Sequence, residues 1–219
     1  SQIIFSHSLI RDGAYSSMLR SSAREIHRKA AEFYENHDYG LWAEHLDKGK
    51  DPRATFAYLK AAEFTQNIRH LVQAQSFVER GLELESKNGP AFDLHCINGE
   101  LLEALGNMDD AVLAYEAALK LAEDDEQRCR ALIGIVRGKR YAKQADAALA
   151  LIERAEEMAT HLSNPRLLAQ IHAHRGNIFF PRGQVDACHR EQLKSLEFAQ
   201  TAGSVELEAE ALSGLGDAE

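Results

Sequence analysis

Apolar residues along most of this chain recur at the three- and four-residue spacing of a helix that buries one face. Short polar stretches separate these periodic segments. Beside them, no run keeps the alternation of apolar and polar residues that is typical of a half-buried strand. The pattern therefore predicts an all-α protein built from successive amphipathic helices.

One arrangement of small and large residues occurs several times. Its clearest copy has small residues at Gly99, Ala111 and Ala118, a large one at Tyr115, and a glycine, Gly106, between the two helical segments. Two antiparallel helices can cross closely where both carry small residues, and large side chains fill the space beside the crossing. We therefore predict a helix–turn–helix unit in which Gly99 and Ala111 lie where the backbones approach and Gly106 makes the turn.

This order of residues resembles the tetratricopeptide (TPR) repeat, which implies a right-handed α-solenoid of antiparallel helix pairs. Related copies predict repeats over residues 51–88, 91–123, 126–160 and 165–200, followed by a truncated repeat over residues 204–219. In the third repeat the first helix can be aligned on Gly134 or on Val136, and the sequence leaves both alignments open.

Residues at the predicted helix boundaries support this division. Asn164 precedes a proline at a helix start, where the missing N–H and the fixed φ of proline do no harm. Asp125 and Ser204 are predicted N-caps of the helices that follow them.

Residues 1–50 depart from the repeat and form a predicted N-terminal helical segment. Its residues Phe5, His7, Leu9, Ile10, Arg11, Asp12, Tyr15, Met18 and Leu19, followed by Arg24, His27, Ala30 and Ala31, resemble the end of the helical domain behind the nucleotide-binding domain of STAND-type ATPases. In that family TPR-like repeats follow. The repeat around Gly176 also resembles repeats behind such ATPases in bacterial proteins, some of which carry a class III nucleotide cyclase domain. The resemblance implies that ATPase and cyclase chemistry lies upstream of this chain.

Composition and charge narrow the choice of partners. Apolar residues make up 45% of the chain and charged residues 27%, which is ordinary for a soluble domain. The net charge is −9, and residues 51–219 carry 18 basic and 27 acidic side chains, so most of this surface would repel nucleic acid. No apolar run is long enough for a membrane span and the first residues lack the layout of a secretory signal. We expect a cytoplasmic protein with no membrane or nucleic-acid partner, in which Cys96, Cys129 and Cys188 are reduced.

Residues suited to catalysis or metal binding are sparse. The stretch 134–140 approaches a phosphate-binding loop, but it has too few residues between its glycines and ends without Ser or Thr. The densest set of soft metal ligands is His172, His174, Cys188 and His189, yet side chains two apart on a helix point in nearly opposite directions. We predict no enzymatic activity, no cofactor and no metal site in this chain.

Binding is the better-supported role, because a TPR solenoid presents the first helices of its repeats along a concave groove. By repeat position the groove candidates are Phe56, Leu59, Glu63, Gln66, Asn67, Asp93, Cys96, Glu100, Glu103, Gln170, Ala173, Asn177 and Phe180. The acidic residues among them favour a basic or neutral partner segment.

We expect a scaffold or regulatory sensor region of a larger signalling ATPase. Its partner would be a protein or peptide segment, with the upstream ATPase domain of the same chain as one candidate. The alternative is a domain that senses a small molecule and controls an attached ATPase or cyclase. A polar groove would favour a peptide, and a deep apolar pocket would favour the small molecule.

The last predicted helix has an apolar stripe at Val205, Ala209, Leu212 and Leu215. A repeat interior without its second helix leaves such a stripe uncovered. We expect this helix either to fray or to self-associate with another copy of the chain.

Overall fold

The structure, a computed structural model, describes residues 12, 13, 15–84 and 90–218. Their regular elements are all helical, as predicted: α1 (Arg20–Tyr34), α2 (Tyr39–Lys48), α3 (Ala54–Asn67), α4 (Leu71–Glu83), α5 (Ala91–Ala104), α6 (Met108–Leu121), α7 (Asp125–Tyr141), α8 (Ala145–His161), α9 (Pro165–Phe179), a single 3-10 turn (Phe180–Arg182), α10 (Val185–Ala202) and α11 (Val205–Ala218). Most of the segment that resembles the ATPase family before residue 20 lies outside the described residues. Within the described ranges, no helix combines the length and the apolar character needed to cross a bilayer.

Each predicted repeat contains two helices, α3 with α4, α5 with α6, α7 with α8 and α9 with α10, and α11 stands alone in residues 204–219. The chain divides into two compact units, residues 1–94 and 95–219, and the boundary falls in the first turn of α5. The division at residue 50, which the sequence suggested from its change of pattern, stays a prediction.

In the first unit, α1 packs on α2, α2 on α3, and α3 on α4. The core between them is formed by Trp42, Leu46, Tyr58, Phe77 and Val78, all buried. Asp47 in α2 accepts a hydrogen bond of 2.8 Å from Arg80 in α4, which ties these two helices together beside the core.

In the second unit, α7 contacts α9 and α9 contacts α11, so the first helices of successive repeats lie side by side. The second helices α8 and α10 pack against this row. The structure also indicates that the first helix of the third repeat aligns on Val136 and not on Gly134. Val136 belongs to the same buried cluster as Ala148 and Ile152, the small and large residues of its own second helix. Gly134 instead faces Tyr115 of the preceding repeat.

A polar residue, Gln192 of α10, stands in the core where the second repeat has Tyr115. Its side chain is 1% exposed and lies between Gly176 of α9 and Gly214 of α11. A Cβ added at Gly176 would lie 2.7 Å from Nε2, and one added at Gly214 would lie 2.8 Å from Oε1. Nε2 donates a hydrogen bond of 3.0 Å to Asn177 Oδ1, whereas buried Oε1 has no partner among the described residues.

The helix ends show which boundary predictions hold. Gly106 has φ of +84°, so it makes the predicted turn in a conformation that favours glycine. Asn164 and Ser204 accept hydrogen bonds from the backbone N–H three residues later, at 3.2 and 3.5 Å. The prediction for Asp125 is wrong by one residue: Asp124 caps α7, and Asp125 is the first residue of the helix. Both carboxylates lie at the positive end of the helix dipole, which is why the sequence could not separate them.

Candidate functional site

Helices α5, α7 and α9 of the second unit border an open cleft of about 320 Å3, which we call the α5–α7–α9 cleft. From α7 come Glu126, Arg130, Ile133 and Arg137, spaced so that all four lie on one face of the helix. The other walls are formed by Cys96, Glu100, Asn164, Arg166, Leu167 and Gln170.

The ring of Tyr115, from α6, closes the cleft between α5 and α7 and is 2% exposed. Both neighbouring helices carry a glycine where the ring passes. A Cβ added at Gly99 would lie 2.5 Å from Cζ of the ring, and one added at Gly134 would lie 2.5 Å from Cε1. Packed side chains do not approach so closely, so two glycines together leave room for this ring. At Gly99 it is the ring of Tyr115 that comes close, and the approach of the two helix backbones at Gly99 and Ala111 stays a prediction.

Arg137 connects three helices in the wall of the cleft. Its guanidinium donates one hydrogen bond to the Tyr115 hydroxyl and another, of 3.1 Å from Nε, to Glu103. Burial raises the pKa of the Glu103 carboxyl, and the nearby Arg137 cation opposes that shift. Burial also raises the pKa of Tyr115. Because Arg137 is already engaged by these two groups, it fixes the shape of the wall.

Two further arginines of the cleft are exposed. Arg130 and Arg166 are exposed, and the nearest acidic group to Arg166 is Glu206, at 3.6 Å. Ion pairs this exposed contribute little to stability. With Glu100 and Glu126 on the same cleft, three arginines face two glutamates. The expectation of a basic or neutral partner segment, which rests on the acidic groove candidates, stays a prediction.

Four of the predicted groove residues belong to this site. Cys96, Glu100 and Gln170 line the cleft, and Glu103 is joined to it through Arg137. Cys96 is only 4% exposed, so it forms part of the cleft wall and offers a partner little side chain to contact.

Three more predicted residues lie further along the row of first helices. Asn177 and Phe180 line a smaller crevice of about 280 Å3, together with Arg140 of α7 and Gly214 of α11. Ala173 is 1% exposed and is part of the core. Whether any of these residues contacts a partner stays a prediction.

The other six predicted residues are in the first unit. Phe56 is 48% exposed with the Lys60 ammonium 5.5 Å from its ring centroid, and the same ammonium donates to Glu63 at 2.7 Å. Leu59 is 4% exposed and contributes to the core. Gln66, Asn67 and Asp93 are partly or fully exposed.

Sequence reasoning missed the α7 side of the cleft, although a signal was present. Residues 126, 130, 133 and 137 follow the spacing of one helical face. The predicted groove residues include none from this helix, because the sequence leaves its alignment open between Gly134 and Val136. The groove residues predicted from the sequence therefore do not include the arginines of this helix.

Two of the histidines considered as metal ligands, His172 and His174, are buried. His172 is hydrogen bonded to Glu191 at 2.7 Å, in a buried network that also includes Arg175 and Glu156. Burial would raise the pKa of Glu191, but the hydrogen bonds from His172 and Lys194 lower it to about 2.

His174 is buried, and burial together with two nearby arginines lowers its pKa to about 3. Burial raises the pKa of Cys188, which is a free thiol. In the part of the chain that the structure describes, no three His, Cys, Asp or Glu side chains come together as a metal site would require.

No protein-family model matches this chain, and no curated protein matches it. Solved structures do match. Bacillus thuringiensis PlcR, solved in complex with the peptide PapR7 and DNA, superposes with a TM-score of 0.65 at 10% identity over 97% of this chain and 76% of PlcR. Aspartyl phosphate phosphatase F of Bacillus subtilis gives a TM-score of 0.64 at 16% identity over 95% of this chain, which spans only 62% of the phosphatase.

A third match is YrrB, described as a TPR protein with an unusual peptide-binding site. It gives a TM-score of 0.54 at 16% identity, over 94% of this chain and 96% of YrrB. Identities this low establish the fold and no more. Together with the helix order and the paired glycines, these likenesses show that the chain has an all-α helical-repeat fold of TPR-like type.

Proposed function

We propose that this chain is a protein-interaction module that holds an extended peptide segment in the α5–α7–α9 cleft. The observation that carries the proposal is the character of the cleft: it is open, and its lining is mostly polar. Gln170 can hydrogen bond a peptide backbone, and Arg130 and Arg166 can pair with acidic side chains. An open polar groove on packed helices suits a peptide better than a buried small molecule.

Two structural neighbours support a peptide as the ligand class. PlcR was solved with the peptide PapR7, and YrrB is described by its peptide-binding site. The fold shared with them makes the row of first helices the natural place for a bound segment. The presence of both Arg and Glu side chains on the cleft further suggests a segment that carries both charges.

Binding of a displayed peptide library to the purified chain tests this proposal. Peptides selected on the wild type should bind about tenfold more weakly to Arg130→Ala and to Gln170→Ala, a loss of about 1.4 kcal/mol. Arg128→Ala is the matched control, because Arg128 is on the same helix but pairs with Asp125 outside the cleft. Selected peptides that bind both cleft variants as well as the wild type would place the binding site elsewhere, and a library without binders would end the proposal.

A second candidate function, small-molecule sensing, has one observation in its favour. In the first unit a pocket of about 380 Å3 is lined by the aromatic rings of Tyr39, Phe64 and Phe77 beside Ile68. Aromatic walls with a few polar groups are typical of ligand pockets. A rise in melting temperature with a metabolite, lost in Phe64→Ala and kept in Arg130→Ala, would favour this alternative.

We also propose, from the sequence resemblance alone, that the chain is the regulatory region of a larger signalling ATPase in the cytoplasm, with a nucleotide cyclase as a further candidate domain. The sequence upstream in the parent protein tests this directly. A phosphate-binding loop followed by a helical domain would support the parentage, and its absence would remove it.

A further inference from the structure

Two histidines join α1 to α2 in the first unit. His27 is 8% exposed, and its Nδ1 lies 2.8 Å from Nδ1 of His45. On its other side, His27 Nε2 lies 2.7 Å from the hydroxyl of Tyr15. The ring of Tyr34 stacks on His45, with the centroids 5.4 Å apart and the planes inclined by 6°. These four rings form a continuous contact between residue 15, α1 and α2.

The two imidazoles have the geometry of a nearly linear hydrogen bond between their Nδ1 atoms. Their centroids are 5.0 Å apart, close to the nitrogen–nitrogen distance plus the two distances from nitrogen to centroid. The two Nδ1 atoms therefore face each other nearly head-on. A bound metal would require both lone pairs to converge at an angle on a point outside that line.

The contact between the two Nδ1 atoms can accommodate one added proton but not two. In the neutral pair one Nδ1–H donates to the other Nδ1, which accepts. One added proton is accommodated, because a doubly protonated His27 donates to His45 from Nδ1 and to the Tyr15 oxygen from Nε2. A second added proton puts two N–H groups face to face at 2.8 Å with two like charges. The contact is then repulsive.

The groups around the pair oppose protonation. Burial lowers the pKa of both His27 and His45, and the Lys48 ammonium lowers both further. His45 also feels Glu44, whose carboxylate acts in the other direction. Among the described residues, the titratable side chains of Tyr15 and Tyr34 also contact the two rings.

The pH dependence follows from the sign of these shifts. A histidine whose pKa is lowered by folding binds more protons when its contact is broken. The stability it contributes is complete above its ordinary pKa near 6.5 and decreases as the pH falls.

We propose that the His27–His45 pair is a proton-operated latch, which holds α1 on α2 at neutral pH and releases α1 when both imidazoles become protonated. A doubly protonated His27 still donates to the Tyr15 oxygen, so we expect Tyr15 to move together with α1. The latch lies in the first unit and does not depend on the peptide-binding proposal.

The test uses the whole chain and its single tryptophan. Trp42 is 6% exposed on α2, three residues before His45, so its emission should shift to the red when α1 leaves. In the wild type we expect this shift between about pH 7 and about pH 4.5. His45→Asn keeps a neutral hydrogen-bonding side chain and should remove the transition. His161→Gln replaces an exposed histidine of α8 and should keep it.

Proton binding in the wild type gives a second measurement that needs no variant. NMR signals of the two imidazoles should show one group protonated first, and the second only together with the emission change. Two imidazoles that titrate independently near the ordinary histidine pKa, with the Trp42 emission unchanged, would overturn the proposal. So would a transition that survives unchanged in a folded His45→Asn chain.

Discussion

At the scale of single residues, the packing of Tyr115 depends on the absence of side chains at two neighbouring glycines. The ring touches two helices because Gly99 and Gly134 offer no Cβ. Glycine inside a helix costs about 1 kcal/mol relative to alanine, so a helix keeps it only where something else needs the space. In this case the space holds a buried ring whose hydroxyl positions Arg137.

Adding a methyl group at this contact should therefore destabilise the fold. We expect Gly99→Ala to lower the free energy of unfolding, and Gly99→Leu to lower it by about 1–3 kcal/mol through overpacking. Urea unfolding and the melting temperature measure both. Gly216→Ala is the control, because no atom lies within 4 Å of a Cβ added there, and gains in helix propensity should make it neutral or stabilising. A melting temperature unchanged by Gly99→Leu would show that the close crossing is wrong.

The order of small and large residues was enough to predict Gly99, Ala111 and Tyr115 as one packing unit, because that order depends on volume alone. The second neighbour of the ring, Gly134, could not be assigned. The contact between Gly134 and Tyr115 joins two repeats. The motif of a single repeat does not indicate which face of the next repeat's helix packs against it.

At the scale of helices, the turns were harder to predict than the helices themselves. Gly106, Gly183 and Gly203 have positive φ, and so do Lys50, Arg69, Lys143 and Ser163. A non-glycine residue in this conformation costs roughly 1–2 kcal/mol, so sequence reasoning expects glycine there. At those four positions the residue type gives no indication of the left-handed conformation.

The buried network between α9 and α10 should make stability depend on acidity. Glu191 has its pKa lowered to about 2 in the folded chain, against about 4.3 when unfolded. A carboxylate of this kind stabilises the fold above the unfolded pKa, and the contribution is lost as the pH falls through the folded value. We therefore expect the stability difference between wild type and Glu191→Gln to be largest near neutral pH and to shrink below about pH 4.

Urea unfolding at about pH 7 and about pH 3.5 measures that difference. Glu153→Gln, at an exposed position of α8, should leave stability unchanged at both. A gap between Glu191→Gln and wild type that stays constant with pH would mean that the His172 and Lys194 contacts do not hold the carboxylate charged.

At the scale of the whole chain, the fold class could be predicted and the charge of the surface could not. Helical periodicity and repeated residue volumes point to one class of architecture, and the comparisons agree with it. Surface charge depends on which face of each helix is outermost. Because the sequence leaves the alignment of α7 open between Gly134 and Val136, it does not predict that Arg130 and Arg137 line the cleft.

The uncovered face of α11 should make the chain self-associate. Val205 is 79% exposed and Leu212 is 55% exposed, whereas Leu207 and Ala211 on the inner face are buried. Apolar side chains grouped on one exposed face are a common association surface. Sedimentation should show a concentration-dependent dimer or larger species in the wild type, and a monomer in Leu212→Glu.

The control is Leu113→Glu, at an apolar residue of α6 that is 62% exposed. It should associate as the wild type does. A wild-type chain that remains monomeric at all concentrations would show that this stripe is not a contact surface.

The glycine pairs also limit how this sequence can drift over evolutionary time. Tyr115 between Gly99 and Gly134, and Gln192 between Gly176 and Gly214, are each a set of three positions that share one volume. A descendant that enlarges one glycine without shrinking the central side chain loses stability at once, so single changes at these positions are removed by selection. We expect substitutions at these positions to occur in compensating pairs. The three positions of each set should therefore vary together among homologous chains, or not at all.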